Sequence, residues 1–179
     1  MTFYHGSPIA GLTELKPTLS EHGRPYIYFA TNPLVALLYA VKPVPKPFSF
    51  YPYGFDNDTV VYSEYFENAF KKIYKGKKGY LYECDNITNV ERPTQIHCAY
   101  TCTESVTVGR VTEISDLYEY YKEQEKYGLF RIKSFGEVSE REMDFVLDDM
   151  RKTIEKYDLR KHLENPMSVF IKEFFSAVW

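Results

Sequence analysis

The chain has little of what holds a protein together from outside its own core. It carries three cysteines, Cys84, Cys98 and Cys102, in 179 residues. The number is odd and no two stand as Cys-x-x-Cys, which argues against a disulfide framework. A zinc site built from Cys84, His97, Cys98 and Cys102 is disfavoured too, because adjacent residues of a strand point to opposite faces. No stretch of about 18 apolar residues occurs, so no transmembrane helix and no membrane partner are expected. The first residues, MTFYHGSPIAG, have neither the basic start nor the long apolar run of a secretory signal. A reducing, cytoplasmic setting is the expectation. Charge of one sign is scarce as well. The net charge is −3, and the one basic block is 71–78, KKIYKGKK. It reads as a solvated helix end rather than a phosphate-binding patch. No Ser or Cys nucleophile stands with a base in a recognisable pattern.

What the chain has in excess is aromatic rings. Seventeen tyrosines and thirteen phenylalanines accompany a single tryptophan. Tyrosine joins a flat apolar face to a polar tip, so it suits both a core and a ligand cleft. Length and composition are those of one domain able to bury its own core.

Hydrophobic patterning predicts strands at 2–5, 26–30, 79–84, 97–101 and 106–113. Thr31-Asn32-Pro33 is a helix start, and LVALLYAV carries the helix to about Val41. Residues 43–52 hold four prolines and read as a long loop. The spacing of Val61, Tyr65, Phe66, Ala69, Phe70 and Ile73 predicts a helix over 59–74. A further helix is expected over 117–126, stopped by Gly128. Ser139 and Glu142 form a capping box. Met143, Val146, Leu147, Met150, Ile154 and Tyr157 follow at helical spacing, and a last helix is expected over 167–179.

Two segments stand out together: Phe3-Tyr4-His5-Gly6-Ser7, and Tyr26-Ile27-Tyr28-Phe29-Ala30-Thr31 with Ala36 and Tyr39 on the helix behind it. This pairing resembles the ADP-ribosyltransferase superfamily, in the His-Tyr-Glu branch of the poly(ADP-ribose) polymerases and the rifampin ADP-ribosyltransferases. There a strand ends in His-Gly-Ser or His-Gly-Thr, and a second reads close to Ile-Tyr-Phe-Ala. A small residue and a tyrosine follow on the next helix. The resemblance is strong over about 40 residues and weak over 80–115.

That resemblance implies an α+β fold, a split, mostly antiparallel sheet with flanking helices and a helical C-terminal segment. It implies an NAD-binding domain over 1–135, with 136–179 a helical extension packed on it. NAD would be the substrate, bound by His5, Gly6, Ser7, Tyr28, Ala36 and Tyr39. His5 would donate a hydrogen bond to a ribose hydroxyl. The bare peptide at Gly6 would hold the nicotinamide carboxamide, and Tyr28 and Tyr39 would sandwich the cationic ring. The implied activity is transfer of ADP-ribose to an unidentified acceptor (protein, nucleic acid or small molecule), or NAD hydrolysis, with release of nicotinamide.

The transition state of that reaction resembles an oxocarbenium ion, so a carboxylate near the ribose lowers the barrier. The family places this Glu at the start of a late strand. Glu104, just before Ser105-Val106-Thr107-Val108, is the candidate, with His5 and Tyr28 completing the catalytic set. Glu83, Asp85 and Glu113 are fallbacks. Tyr51, Tyr53 and Phe55 would form a lid or acceptor surface. Two other readings remain: an inactive NAD-like binding or interaction module on the same fold, and an RNA 2′-phosphotransferase, for which Arg24 and Arg92 are the available phosphate ligands.

Overall fold

The computed structural model describes residues 1–19, 24–42, 51–92 and 96–179. Strands β1 (Thr2–Ser7), β2 (Glu14–Leu15), β3 (Thr18–Leu19) and β4 (Pro25–Ala30) precede helix α1 (Pro33–Leu38). Then come β5 (Tyr53–Asp56), β6 (Thr59–Ser63), α2 (Ala69–Tyr74), β7 (Gly79–Asp85), β8 (Val90–Glu91) and β9 (Ala99–Cys102). The chain continues with β10 (Val106–Thr107), β11 (Arg110–Ile114), α3 (Leu117–Lys126), β12 (Phe130–Lys133), α4 (Glu140–Lys156) and α5 (Pro166–Phe174). The fold is mixed α+β, with a mostly antiparallel sheet and five α-helices among the described residues.

The chain forms two compact units. One is Met1–Lys42 with Gly76–Leu117, the other Pro43–Lys75 with Tyr118–Trp179. The line expected at residue 135 is not where the contacts divide: residues 43–75 go with the C-terminal part.

In the first unit the sheet runs β11-β7-β1-β4-β9-β8, with β3 also on β4, and every pairing is antiparallel. Strand alternation sends Phe3, Ile27, Phe29, Tyr82, Cys84 and Cys102 into one buried cluster with Leu15 and Val106. Ile27 and Phe29 thus point one way while Tyr26 and Tyr28 point the other. The cysteines are free and buried, and burial pushes the Cys84 thiol up to about 11, which makes it a packing group rather than a nucleophile. Tyr82 is fully buried, and its hydroxyl donates to the Ile9 carbonyl at 2.6 Å while accepting from the Leu12 N–H at 3.3 Å. One phenol therefore pins the turn that follows β1. We expect Tyr82→Phe to cost about 1–3 kcal/mol, measured by urea denaturation.

Helix α1 starts as its sequence demands. The Asn32 side chain accepts from the N–H groups of Leu34 and Val35, and Pro33 occupies the first turn. It ends at Leu38, a turn earlier than the apolar run suggests, with Tyr39 as C-cap. All five residues from Leu34 to Leu38 are buried.

The second unit corrects one expectation outright. Residues 59–74 are not one helix: Thr59–Ser63 is a strand and only Ala69–Tyr74 is helical. Strands β5 and β6 form a hairpin closed by Asp56 opposite Thr59, with Asn57 in the left-handed region at φ 51°. Strand β12 then adds parallel to β6. Around Phe70 the rings of Tyr62, Tyr74, Tyr121 and Phe130 pack within 5.2 Å, all fully or almost fully buried. A second cluster joins Val146, Met150 and Ile154 of α4 to Ile171, Phe175 and Val178. The helical stripe in the sequence is thus a core face, although Tyr157 at its end is exposed. The final helix stops at Phe174 and a 3-10 turn, Ser176–Val178, follows it. The Ser139–Glu142 capping box forms, and Ser139→Ala should lower stability by about 1 kcal/mol, seen as a lower Tm.

Candidate functional site

Of the residues singled out in the first unit, His5 and Tyr28 meet where β1 and β4 part. Strand β1 pairs with β7 along its whole length, from Thr2 opposite Asp85 to Ser7 opposite Tyr80. With β4 it shares a single register pair, Tyr4 opposite Ala30. Beyond it the next link across is a side chain. His5 Nδ1 lies 2.9 Å from the Tyr28 carbonyl oxygen. A carbonyl only accepts, so Nδ1 carries the proton and donates.

Burial lowers the His5 pKa, the bond to Tyr28 partly opposes this, and the charge of Lys42 lowers it further. The ring is therefore neutral at pH 7, and its other nitrogen, Nε2, holds a lone pair. Nε2 has no hydrogen-bond partner among the described residues. At neutral pH Nε2 can therefore accept a hydrogen bond, whereas the sequence resemblance implies that His5 donates one.

Tyr28 is 40% exposed, high for a tyrosine in mid-strand, and its ring meets Tyr26 edge-on at 6.1 Å. The His5 ring instead leans on Phe29, 6.2 Å away and edge-on. Imidazole and phenol thus belong to opposite faces of the pleat, joined through the Tyr28 carbonyl. Tyr39 is half-buried at the C-cap of α1.

Gly6 and Ala36 are brought together, but by packing. A Cβ on Gly6 would stand 2.0 Å from the Ala36 carbonyl oxygen and 2.7 Å from its carbon. The open side of Gly6, expected to face a carboxamide, is filled by the backbone of α1. Ala36 is buried in the same contact, which explains a small residue there without a ligand. Ser7 is buried and its Oγ accepts from the Ile9 N–H at 3.2 Å, closing the turn.

Glu104 is not beside His5. It follows β9, and β10, the strand it precedes, pairs with β2 outside the main sheet. Thr101 stands opposite Tyr28, and Glu104 lies three residues further on, in the bend past the end of β9 at Cys102. Its carboxylate accepts from the Asn89 amide at 2.9 Å. The fallbacks are engaged elsewhere: Glu83 holds Arg110 at 2.6 Å, Glu113 holds Lys78 at 2.7 Å, and Asp85 accepts from Thr2. The residues at the start of β9, His97-Cys98-Ala99, include no acid.

Glu91 is an acid of this sheet that sequence reasoning did not single out. It stands opposite Thr101 on β9, which stands opposite Tyr28 on β4, so the three share one face across three strands. Its two-residue strand carries too little pattern to be found from sequence.

No family model, curated protein or solved structure matches the chain.

The remaining candidates fall outside this site. Arg92 donates to the His97 carbonyl and the Tyr100 hydroxyl and lies over the Tyr100 ring, so local structure occupies it. Tyr51 is buried, with its hydroxyl 2.7 Å from that of Tyr74, so it is core and not lid. Tyr53 and Phe55 lie on β5 of the hairpin. Residues 43–50 of the proline-rich loop lie outside the described residues. No group of three or more metal-ligating side chains occurs among the described residues, and no described helix is long and apolar enough to cross a membrane.

Proposed function

We propose that the first unit binds NAD where β1 and β4 part, and transfers its ADP-ribose to an acceptor or to water. One observation carries this most: β1–β4 pairing gives way after Tyr4 to the His5–Tyr28 bond, which leaves the Nε2 lone pair for a ligand. A ribose hydroxyl is a fitting donor to it. The resemblance in His5-Gly6-Ser7 and Tyr28 adds to this, and the split sheet it implies suits the short β1–β4 register.

A second reading is favoured by the place of Glu104. With no acid at the start of β9 and Glu104 bonded to Asn89, the unit would bind an NAD-like ligand without turning it over. Incubation of the pure protein with NAD and assay of free nicotinamide separates the two. Transfer or hydrolysis predicts release that falls in both His5→Ala and Glu104→Gln. Release unchanged in Glu104→Gln removes that residue from the chemistry. No release, with NAD still bound, selects the binding module.

The pH dependence has a definite sign. The depressed His5 pKa keeps the ring neutral down to some point below 6.5. Further acidification protonates Nε2 and turns the acceptor into a donor. NAD affinity should therefore be flat above pH 6.5 and fall on the acid side. The same group destabilises the fold as pH drops through 6.5, because the unfolded chain takes up the proton first. Calorimetric titrations across pH 5–8 check this.

A further inference from the structure

Beside Tyr28, on the outer strands of the same sheet, lies a cavity of about 440 Å³. Tyr26, Asn89, Glu91, Thr101, Thr103 and Glu104 line it. We propose that this cavity binds an organic cation, an ammonium or guanidinium group. It lies within the first unit, at the Tyr26 end of β4.

Charge sets the ligand class. Two carboxylates line the cavity, and no Lys, Arg or His does among the described residues. A phosphate or carboxylate ligand is thereby repelled. The Glu104 carboxylate is met by a neutral amide, that of Asn89, and Glu91 has no ion-pair or hydrogen-bond partner among the described residues. A neutral ligand would leave both charges uncompensated, whereas a cation answers them.

Thr101 supplies a second, independent observation. It is 1% exposed and lines the cavity. Its hydroxyl has no hydrogen-bond partner among the described residues. Every fully closed-off side-chain oxygen or nitrogen there does have a partner, so this hydroxyl opens into the cavity. Buried polar groups are satisfied as a rule, by protein, water or ligand. The Thr101 hydroxyl both donates and accepts, so an N–H group of a bound cation can satisfy its acceptor side. Tyr26, half-buried beside it, adds a ring face of the kind that attracts cations.

The test is a titration of the isotopically labelled full chain, followed by amide NMR shifts. Agmatine is the free-amine probe and the peptide Gly-Arg-Gly the side-chain probe. Methyl glucoside and inorganic phosphate are the neutral and anionic comparisons. Saturable shifts at Asn89, Glu91, Thr101 and Glu104 are expected with agmatine. Equal affinity for the peptide assigns the site to a peptide-borne cation; weaker peptide binding assigns it to a free amine. Glu91→Gln and Glu104→Gln together should weaken binding at least about tenfold, the scale of one charge-assisted hydrogen bond. Thr101→Val, which keeps the shape and both charges, should weaken it less. Three results overturn the proposal: no saturable shift with agmatine, agmatine affinity unchanged in the double variant, or tighter binding of glucoside or phosphate. NAD is not a probe here, so loss of the NAD reading leaves this result standing, and the reverse holds too.

Discussion

Gly6→Ala should cost the first unit more than about 3 kcal/mol, at or beyond the upper end of ordinary overpacking. The added Cβ would sit 2.0 Å from the Ala36 oxygen and 3.1 Å from the Leu37 Cα. These are backbone atoms, so no rotamer change relieves the clash. Helix α1 must lift from β1, which disturbs the packing of its buried Leu34, Val35, Leu37 and Leu38. Urea denaturation and amide exchange in the 2–7 and 33–38 segments measure the effect. A loss below about 1 kcal/mol would show that the helix can move aside. The same substitution also bears on function, because it would misplace His5 next door.

Phe70→Ala is the second large effect, an expected loss of about 3–5 kcal/mol in the other unit. Phe70 is fully buried, stacked on Tyr74 at 4.5 Å and packed against Tyr62, Tyr121 and Phe130. Those neighbours are themselves rigid rings bound to α2, α3, β6 and β12, so the void cannot close cheaply. Its backbone N–H also donates to Glu64, which fixes the start of α2. Heat or urea unfolding should show the loss, while NAD binding by the folded protein should stay unchanged. Reduced binding in a variant that remains folded would contradict the placement of the site in the first unit.

The first unit was readable because its signals are local. Strand β4 alternates buried Ile27 and Phe29 with outward Tyr26 and Tyr28, and Asn32-Pro33 announces the helix. The second unit was misread where two periods compete. Val61, Tyr65, Phe66, Ala69 and Phe70 fit helical spacing, yet Thr59-Val60-Val61-Tyr62 is β-branched and aromatic, and Asp56-Asn57-Asp58 before it is turn chemistry. Weighing that turn would have found the hairpin. Strand β12 pairs in parallel with a strand about seventy residues earlier, and nothing within Phe-Arg-Ile-Lys signals such a partner. In the first unit residues 106–113 were misread too: they look like one strand but divide at Val108-Gly109, where the Gly109 N–H turns to the Glu83 carbonyl.

The site was half legible for the same reason. His5 and Tyr28 each follow from a motif on one strand, and the register joins them. Gly6 and Ala36 sit in the motif too, but their smallness answers a helix-on-strand contact that no motif states. Placing an acid depends on which strand lies beside β4, a long-range choice. The strand there is β9, which starts without one and leaves Glu91 on the next strand out.

The most direct measurement is the dissociation constant of NAD for the wild-type chain and for His5→Ala, by calorimetry at pH 7.5. Saturable binding, weakened about 3- to 10-fold when the lone pair at Nε2 is removed, is the predicted result, the worth of one neutral hydrogen bond. Equal affinity in the two proteins, or no heat from either, would contradict it.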